Sequence, residues 1–290
     1  MRATRYYCFK QASVSGLALL LLLLNGSTGF AAVITRNVLY ATVSKQELQL
    51  DVFKPEVTTG TCPVVLMLHP GGWIHGDKTS QDHFGVDLAN AGIIAVGVNY
   101  RLAPAFMYPK QLNDAQGALK WVRRNIGQYG GDPSRIGILG ESAGAQLGAL
   151  TGLLDNRGKK KSGRLPPVRA VVNMLGPTDL VAWWNFEPSR SYLQTYLGGD
   201  PVGRAKQYRQ ASPINLVDAN APSFLNVYAT ADTLVPLSQG TAFHQALVQA
   251  GVDSSLVLLQ GADHYWPPEA PYTNQESQAM LAFFRTRFGL

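Results

Sequence analysis

The sequence predicts an α/β domain: a mostly parallel central sheet of about eight strands with helices on both faces. Two observations carry this. Short, nearly continuous apolar runs of five or six residues recur along the chain, the pattern of strands buried on both faces. Between them lie longer segments with apolar residues three and four apart, and strand–helix alternation of this kind is satisfied by a parallel sheet covered by helices.

Taken in order, residues 33–43 and 48–53 read as two strands with no helix between them, hence an antiparallel pair at one edge. Residues 64–68, Val-Val-Leu-Met-Leu, form the first buried strand, and 93–98 repeats the pattern after a helical stretch at 84–91. Leu112, Ala115, Leu119, Val122 and Ile126 recur at helical spacing, and Gly130-Gly131-Asp132-Pro133 stops that helix. Further strands are expected at 136–139, 170–175, 224–228 and 255–259, with helices at about 143–154, 236–250 and 274–288. Residues 177–213 break the rhythm with Trp183, Trp184, Phe186, Tyr192, Tyr196 and Tyr208, and read as a small cap insertion over a pocket. Neither a repeat nor a linker divides the chain, so residues 32–290 are expected to be one domain.

With 46% hydrophobic and 15% charged residues, a disordered or fibrous chain is excluded. The net charge of +6 raises the question of an anionic partner, and its distribution answers it. Arg2, Arg5 and Lys10 precede an apolar run at 14–24, followed by Asn25-Gly26-Ser27-Thr28-Gly29. That order is the signature of a cleavable signal peptide over residues 1–31, cut near Ala31-Ala32. The apolar run falls short of the ~20 residues that span a bilayer. A secreted or periplasmic product with no stable membrane span is therefore expected. Without this segment 22 basic residues face 19 acidic ones, and five of the 22 crowd into residues 157–164, a solvated loop. No nucleic-acid-binding face is expected. Cys8 leaves with the leader, and Cys62 reads as a small buried hydrophobe.

Two motifs carry chemistry. Gly140-Glu141-Ser142-Ala143-Gly144 lies between an expected strand and an expected helix, the context of a nucleophile elbow. The turn is too tight for side chains on either flank, and it lifts Ser142 to the positive end of the following helix. His69-Pro70-Gly71-Gly72-Trp73 follows the strand at 64–68, where a glycine pair can turn backbone N–H groups toward a developing oxyanion. Neither a phosphate-binding glycine loop nor a metal-ligand spacing is present, and no cofactor or metal is expected.

These two motifs, together with Asn99-Tyr100-Arg101-Leu102-Ala103-Pro104, resemble the α/β-hydrolase superfamily. Within it the chain is most similar to hormone-sensitive-lipase-like esterases and to feruloyl- and acetyl-xylan-esterase-like carboxylesterases, with Trp73 and Gly76-Asp77-Lys78 fitting the latter. The resemblance implies oxyanion donors at Gly71, Gly72 and Ala143. Pro70 stands where the family has its first glycine and brings no N–H of its own. It also implies a triad in the order serine, acid, histidine. His264, after the last strand, then serves as base. His244 sits within a helix, and His69, His75 and His83 precede the serine. Asp232, just ahead of a Val-Pro, matches the acid loop. Asp179, after the preceding strand, is its rival, and Asp263 is too close in sequence to the base. The function implied is a serine carboxylesterase acting on short-chain or aryl esters, free or linked to polysaccharide. An amide hydrolase would use the same three residues, whereas an inactive ligand-binding relative would lack one. Trp73, Tyr100, Trp183 and Trp184 are expected to line the substrate pocket.

Overall fold

The computed structural model describes residues 32–58, 60–157, 166–266 and 270–290. The signal peptide expected at 1–31 and all of the basic loop beyond Arg157 lie outside the described residues.

Eight strands form one sheet: β1 (Val33–Val43), β2 (Gln46–Lys54), β3 (Cys62–Leu68), β4 (Ile94–Val98), β5 (Gly131–Glu141), β6 (Ala170–Met174), β7 (Ser223–Ala229) and β8 (Ser254–Leu259). Their spatial order is β1-β2-β4-β3-β5-β6-β7-β8. From β4 to β8 every neighbouring pair is parallel, while β2 runs antiparallel to both β1 and β4. This is the α/β-hydrolase sheet.

Alternation sets the two cores. In β3, Val64, Leu66 and Leu68 pack to one face and Val65 and Met67 to the other, all fully buried. The first face is covered by α2 (Lys110–Asn125), α3 (Ala143–Arg157) and α7 (Ser238–Gln249), the second by α1 (Asp82–Asn90) and α8 (Pro271–Phe288). Residues 177–213 hold three short helices, α4 (Leu180–Trp184), α5 (Arg190–Leu197) and α6 (Ala205–Ala211), with 3₁₀ turns around them. No helix among the described residues is long and apolar enough to cross a membrane.

Two boundaries differ from expectation. β5 begins at Gly131, five residues before the apolar run. A register shift against β3 lets Gly131 pair with Cys62, and a 3₁₀ turn ending at Gly130 (φ 84°) already closes the helix before it. α8 starts at Pro271, whose fixed φ and missing N–H suit the first helical position.

Candidate active site

Ser142 stands between the end of β5 and the start of α3 with φ of 51°, a left-handed conformation rare for a side chain with a Cβ. The turn survives only because its flanks are bare. A Cβ on Gly140 would lie 2.2 Å from the Gly144 carbonyl oxygen, and one on Gly144 would lie 2.0 Å from that of Leu68. The second contact shows that α3 starts directly against the end of β3, so the serine and the glycine loop after β3 share one corner.

Asp232 and His264 reach this corner from the loops after β7 and β8. His264 Nδ1 is 2.8 Å from Asp232 Oδ2, and His264 Nε2 is 3.0 Å from Ser142 Oγ. A carboxylate only accepts, so Nδ1 carries the proton and Nε2 offers its lone pair to the serine hydroxyl. Asp232 is fixed in turn: its Oδ1 accepts from the Leu234 and Val235 N–H groups at 2.8 and 2.7 Å, and its side chain is fully buried. Asp263 has a different duty. Its carboxylate accepts from the Thr233 and His264 N–H groups, both at 2.7 Å, tying the acid loop to the base loop. Those backbone donors, Thr233 first, hold its carboxyl below the usual range. Asp179 is also accounted for, capping α4 through the Val181 and Ala182 N–H groups. His244 bonds Ser254 Oγ, away from the site.

The loop after β3 is strained at three successive positions, Gly71 (φ 118°), Gly72 (φ 59°) and Trp73 (φ 63°). Beneath it, burial lowers the His69 pKa to about 4 and keeps the ring neutral. His69 Nδ1 donates to the Pro70 carbonyl at 2.7 Å. Ala143 is the first residue of α3, where an amide has no partner within the helix.

Trp73 bolts this loop to the cap. Its indole stacks on Tyr196 at 4.0 Å and donates to Gln146 Oε1 at 3.1 Å, and Gln146 Nε2 donates to the Ala211 carbonyl at 2.6 Å. Trp183 joins the cap to the acid loop by donating to the Leu234 carbonyl at 2.9 Å. Trp73, Trp183, Tyr192, Leu234 and Pro177 leave about 10 Å³ of free space against Ser142, roughly the room of one water.

Two of the four aromatics expected at the pocket lie elsewhere. Tyr100 is under the glycine loop, stacked on His69 at 4.1 Å and donating to its carbonyl at 2.8 Å. Trp184 packs edge-on against Tyr208 and under Arg190. Adjacent residues on a helix point about 100° apart, so Trp183 and Trp184 cannot both face the site. Tyr192 and Tyr265 line the site and were not foreseen. Tyr265 had a signal in its adjacency to His264, whereas Tyr192 sits in a stretch where nothing ranks one aromatic above another.

A nucleophile elbow, an imidazole and a buried carboxylate in one hydrogen-bonded chain, above the carboxyl ends of a parallel sheet, define the molecule as an α/β-hydrolase. The chain belongs to the BD-FAE family, whose profile matches residues 50–247. It is 32% identical over 224 residues to "Esterase LipC" of Mycobacterium tuberculosis, covering 73% of this chain and 54% of the relative. Over 247 residues it is 27% identical to "Probable isoprenylcysteine alpha-carbonyl methylesterase ICMEL2" of Arabidopsis thaliana, covering 81% and 58%. The chain thus spans about half the length of these curated relatives. Among solved structures, a truncated carbohydrate esterase from gut microbiota superposes with a TM-score of 0.77 at 26% identity, covering 91% of this chain and 99% of the other. A bacterial heroin esterase superposes with 0.75 at 25%, covering 90% and 86%.

Proposed function

We propose that this protein is an exported serine carboxylesterase that hydrolyses short-acyl and aryl esters through an acyl-enzyme. The observation that carries the reading is the unbroken chain from Ser142 Oγ through His264 to Asp232, at 3.0 and 2.8 Å, on a strained turn. The esterase names of its relatives and structural neighbours support it.

The chemistry follows from the proton assignments. Ser142 Oγ attacks the ester carbonyl carbon as His264 Nε2 takes its proton, and Asp232 stabilises the resulting imidazolium. The carbonyl oxygen becomes an oxyanion, met by the backbone N–H groups of Gly71, Gly72 and Ala143. The tetrahedral intermediate collapses, breaking the bond to the alcohol oxygen, which leaves with the proton from His264. Water then attacks the acyl-enzyme by the same route in reverse roles, releasing the carboxylic acid and free Ser142. The narrow space bounded by Trp73, Trp183 and Tyr192 favours short acyl groups. Export rests on the basic, apolar and small-residue order within residues 1–31.

The test is kinetic. Wild type should hydrolyse p-nitrophenyl acetate, with rates falling as the acyl chain lengthens, and Ser142→Ala should lower kcat by at least ~10³-fold. A Ser142→Ala enzyme of undiminished activity would refute the assignment, and rates rising toward long chains would refute the short-acyl reading. For export, the amino terminus of protein recovered outside the cytoplasm should be Ala32, and a retained Met1 would contradict it.

A further inference from the structure

A second and larger cavity, of about 400 Å³, opens on the other side of His264. It lies between the amino-terminal halves of α1 and α8, the end of β5 and residues 264–266. Tyr265 lines both this cavity and the narrow space at Ser142. The alcohol that leaves an ester takes its proton from His264, so it departs beside that ring. The acyl side is nearly filled, and the open volume is where the alcohol half can go.

Its lining has an unusual charge. Among the described residues two carboxyl groups face it, Glu141 and Glu276, and no lysine or arginine lines it. Glu276 is only 7% exposed and makes no hydrogen bond or ion pair with any described residue. Glu141 interacts with the buried Gln81 amide, whose nitrogen has no partner in full hydrogen-bond geometry. His83, also on the lining, is held toward its neutral form by burial. Burial, reinforced by Glu141, pushes the Glu276 carboxyl up to about 8, and burial raises Glu141 as well. Burial favours the protonated form of both carboxyls while the cavity is empty, and a cation entering it displaces that proton and supplies the compensating charge. Beside Pro70, Ser80 and Thr273, the lining includes the aromatic rings of Phe84, Tyr265 and Trp266, which attract a desolvated organic cation.

We infer that this cavity receives the alcohol half of the ester and selects alcohols that carry an ammonium or quaternary ammonium group, with Glu276 and Glu141 as counter-charge and Trp266 as aromatic wall. The inference rests on the esterase reading of the same site.

Two acetate esters of equal shape test it with the wild-type protein: 2-(trimethylammonio)ethyl acetate and its uncharged isostere 3,3-dimethylbutyl acetate. The cationic ester should be preferred about 10-fold or more in kcat/KM, chiefly through KM. Glu276→Gln should shrink that preference at least five-fold. Trp266→Leu should also shrink it, which keeps the test alive if the first variant folds poorly. Equal rates for the two esters, or a preference untouched by either substitution, would overturn the cation site and leave the esterase reading standing. A stronger preference for an acetylated methyl glucoside over both esters would overturn it in favour of a sugar. Should neither ester be cleaved, nor p-nitrophenyl acetate, the esterase reading itself fails. Calorimetry of tetramethylammonium binding to Ser142→Ala then decides the cavity. Saturable binding weakened by Glu276→Gln supports the cation site, and its absence overturns it.

Discussion

Ser142 stands out through the glycines its turn requires, whereas Asp232 and His264 are assigned through the resemblance, which supplies the triad order. The serine lies between glycines that no other residue can replace, and the acid and the histidine each follow directly on an apolar strand. Their roles predict distinct losses. Asp232→Asn keeps the shape but frees Nδ1 of its carboxylate partner, so the imidazole tautomer is no longer fixed. We expect kcat to fall by roughly 10³–10⁴-fold with KM little changed. Gly72→Ala puts a Cβ 2.4 Å from the Tyr192 ring at a φ of 59°, moving the proposed oxyanion donor and the proposed acyl wall together. Its kcat on p-nitrophenyl acetate should drop by about 10²-fold or more. A variant with wild-type kcat would show that this loop does not serve the transition state. Glu276 was not legible at all. It sits in an ordinary-looking helix 135 residues after Glu141, and only the tertiary fold brings the start of α8 and the end of β5 to one cavity.

At the level of elements, the central strands announced themselves through continuous apolar runs, since burial on both faces removes the polar alternation that blurs edge strands. The start of β5 did not, because Gly131, Asp132 and Pro133 carry turn chemistry and are held in the sheet by pairing to Cys62. The loop after β4 illustrates how an element outside the site positions it. Arg101 and Asp114 are both about 4% exposed and form a paired contact, with Nε at 2.8 Å and Nη2 at 2.6 Å, while the Arg101 N–H adds a third bond at 3.0 Å. This clamps the residue next to Tyr100, whose ring props up His69. Breaking a buried pair by removing one partner typically costs about 3–5 kcal/mol. Asp114→Ala should therefore lose stability of that order in urea unfolding, and a loss under about 1 kcal/mol would contradict the clamp.

At the scale of the molecule, sheet order and the meeting of loops are tertiary facts that no local pattern encodes. The expected antiparallel edge lies where the lack of a crossover helix demands, but the seating of the cap on Gln146 and Leu234 emerges only in three dimensions. One whole-molecule consequence concerns pH. Glu276 titrates at about 8 when folded, well above an unfolded glutamate, so the folded state binds more protons between roughly pH 4.5 and 8. The stability it contributes is full below that window and is lost as pH rises through it. Thermal unfolding should show Glu276→Gln gaining on wild type as pH goes from 5 to 8. A constant difference across that range would show that the carboxyl is not held protonated.

The central claim is that Ser142 is a nucleophile activated by His264 and Asp232. It is tested most directly by treating the folded protein with a fluorophosphonate and locating the adduct by peptide mass spectrometry. One equivalent is expected on Ser142, at a rate reduced at least ~10³-fold in His264→Ala. A folded wild type that is left unlabelled, or labelled at another residue, would contradict it.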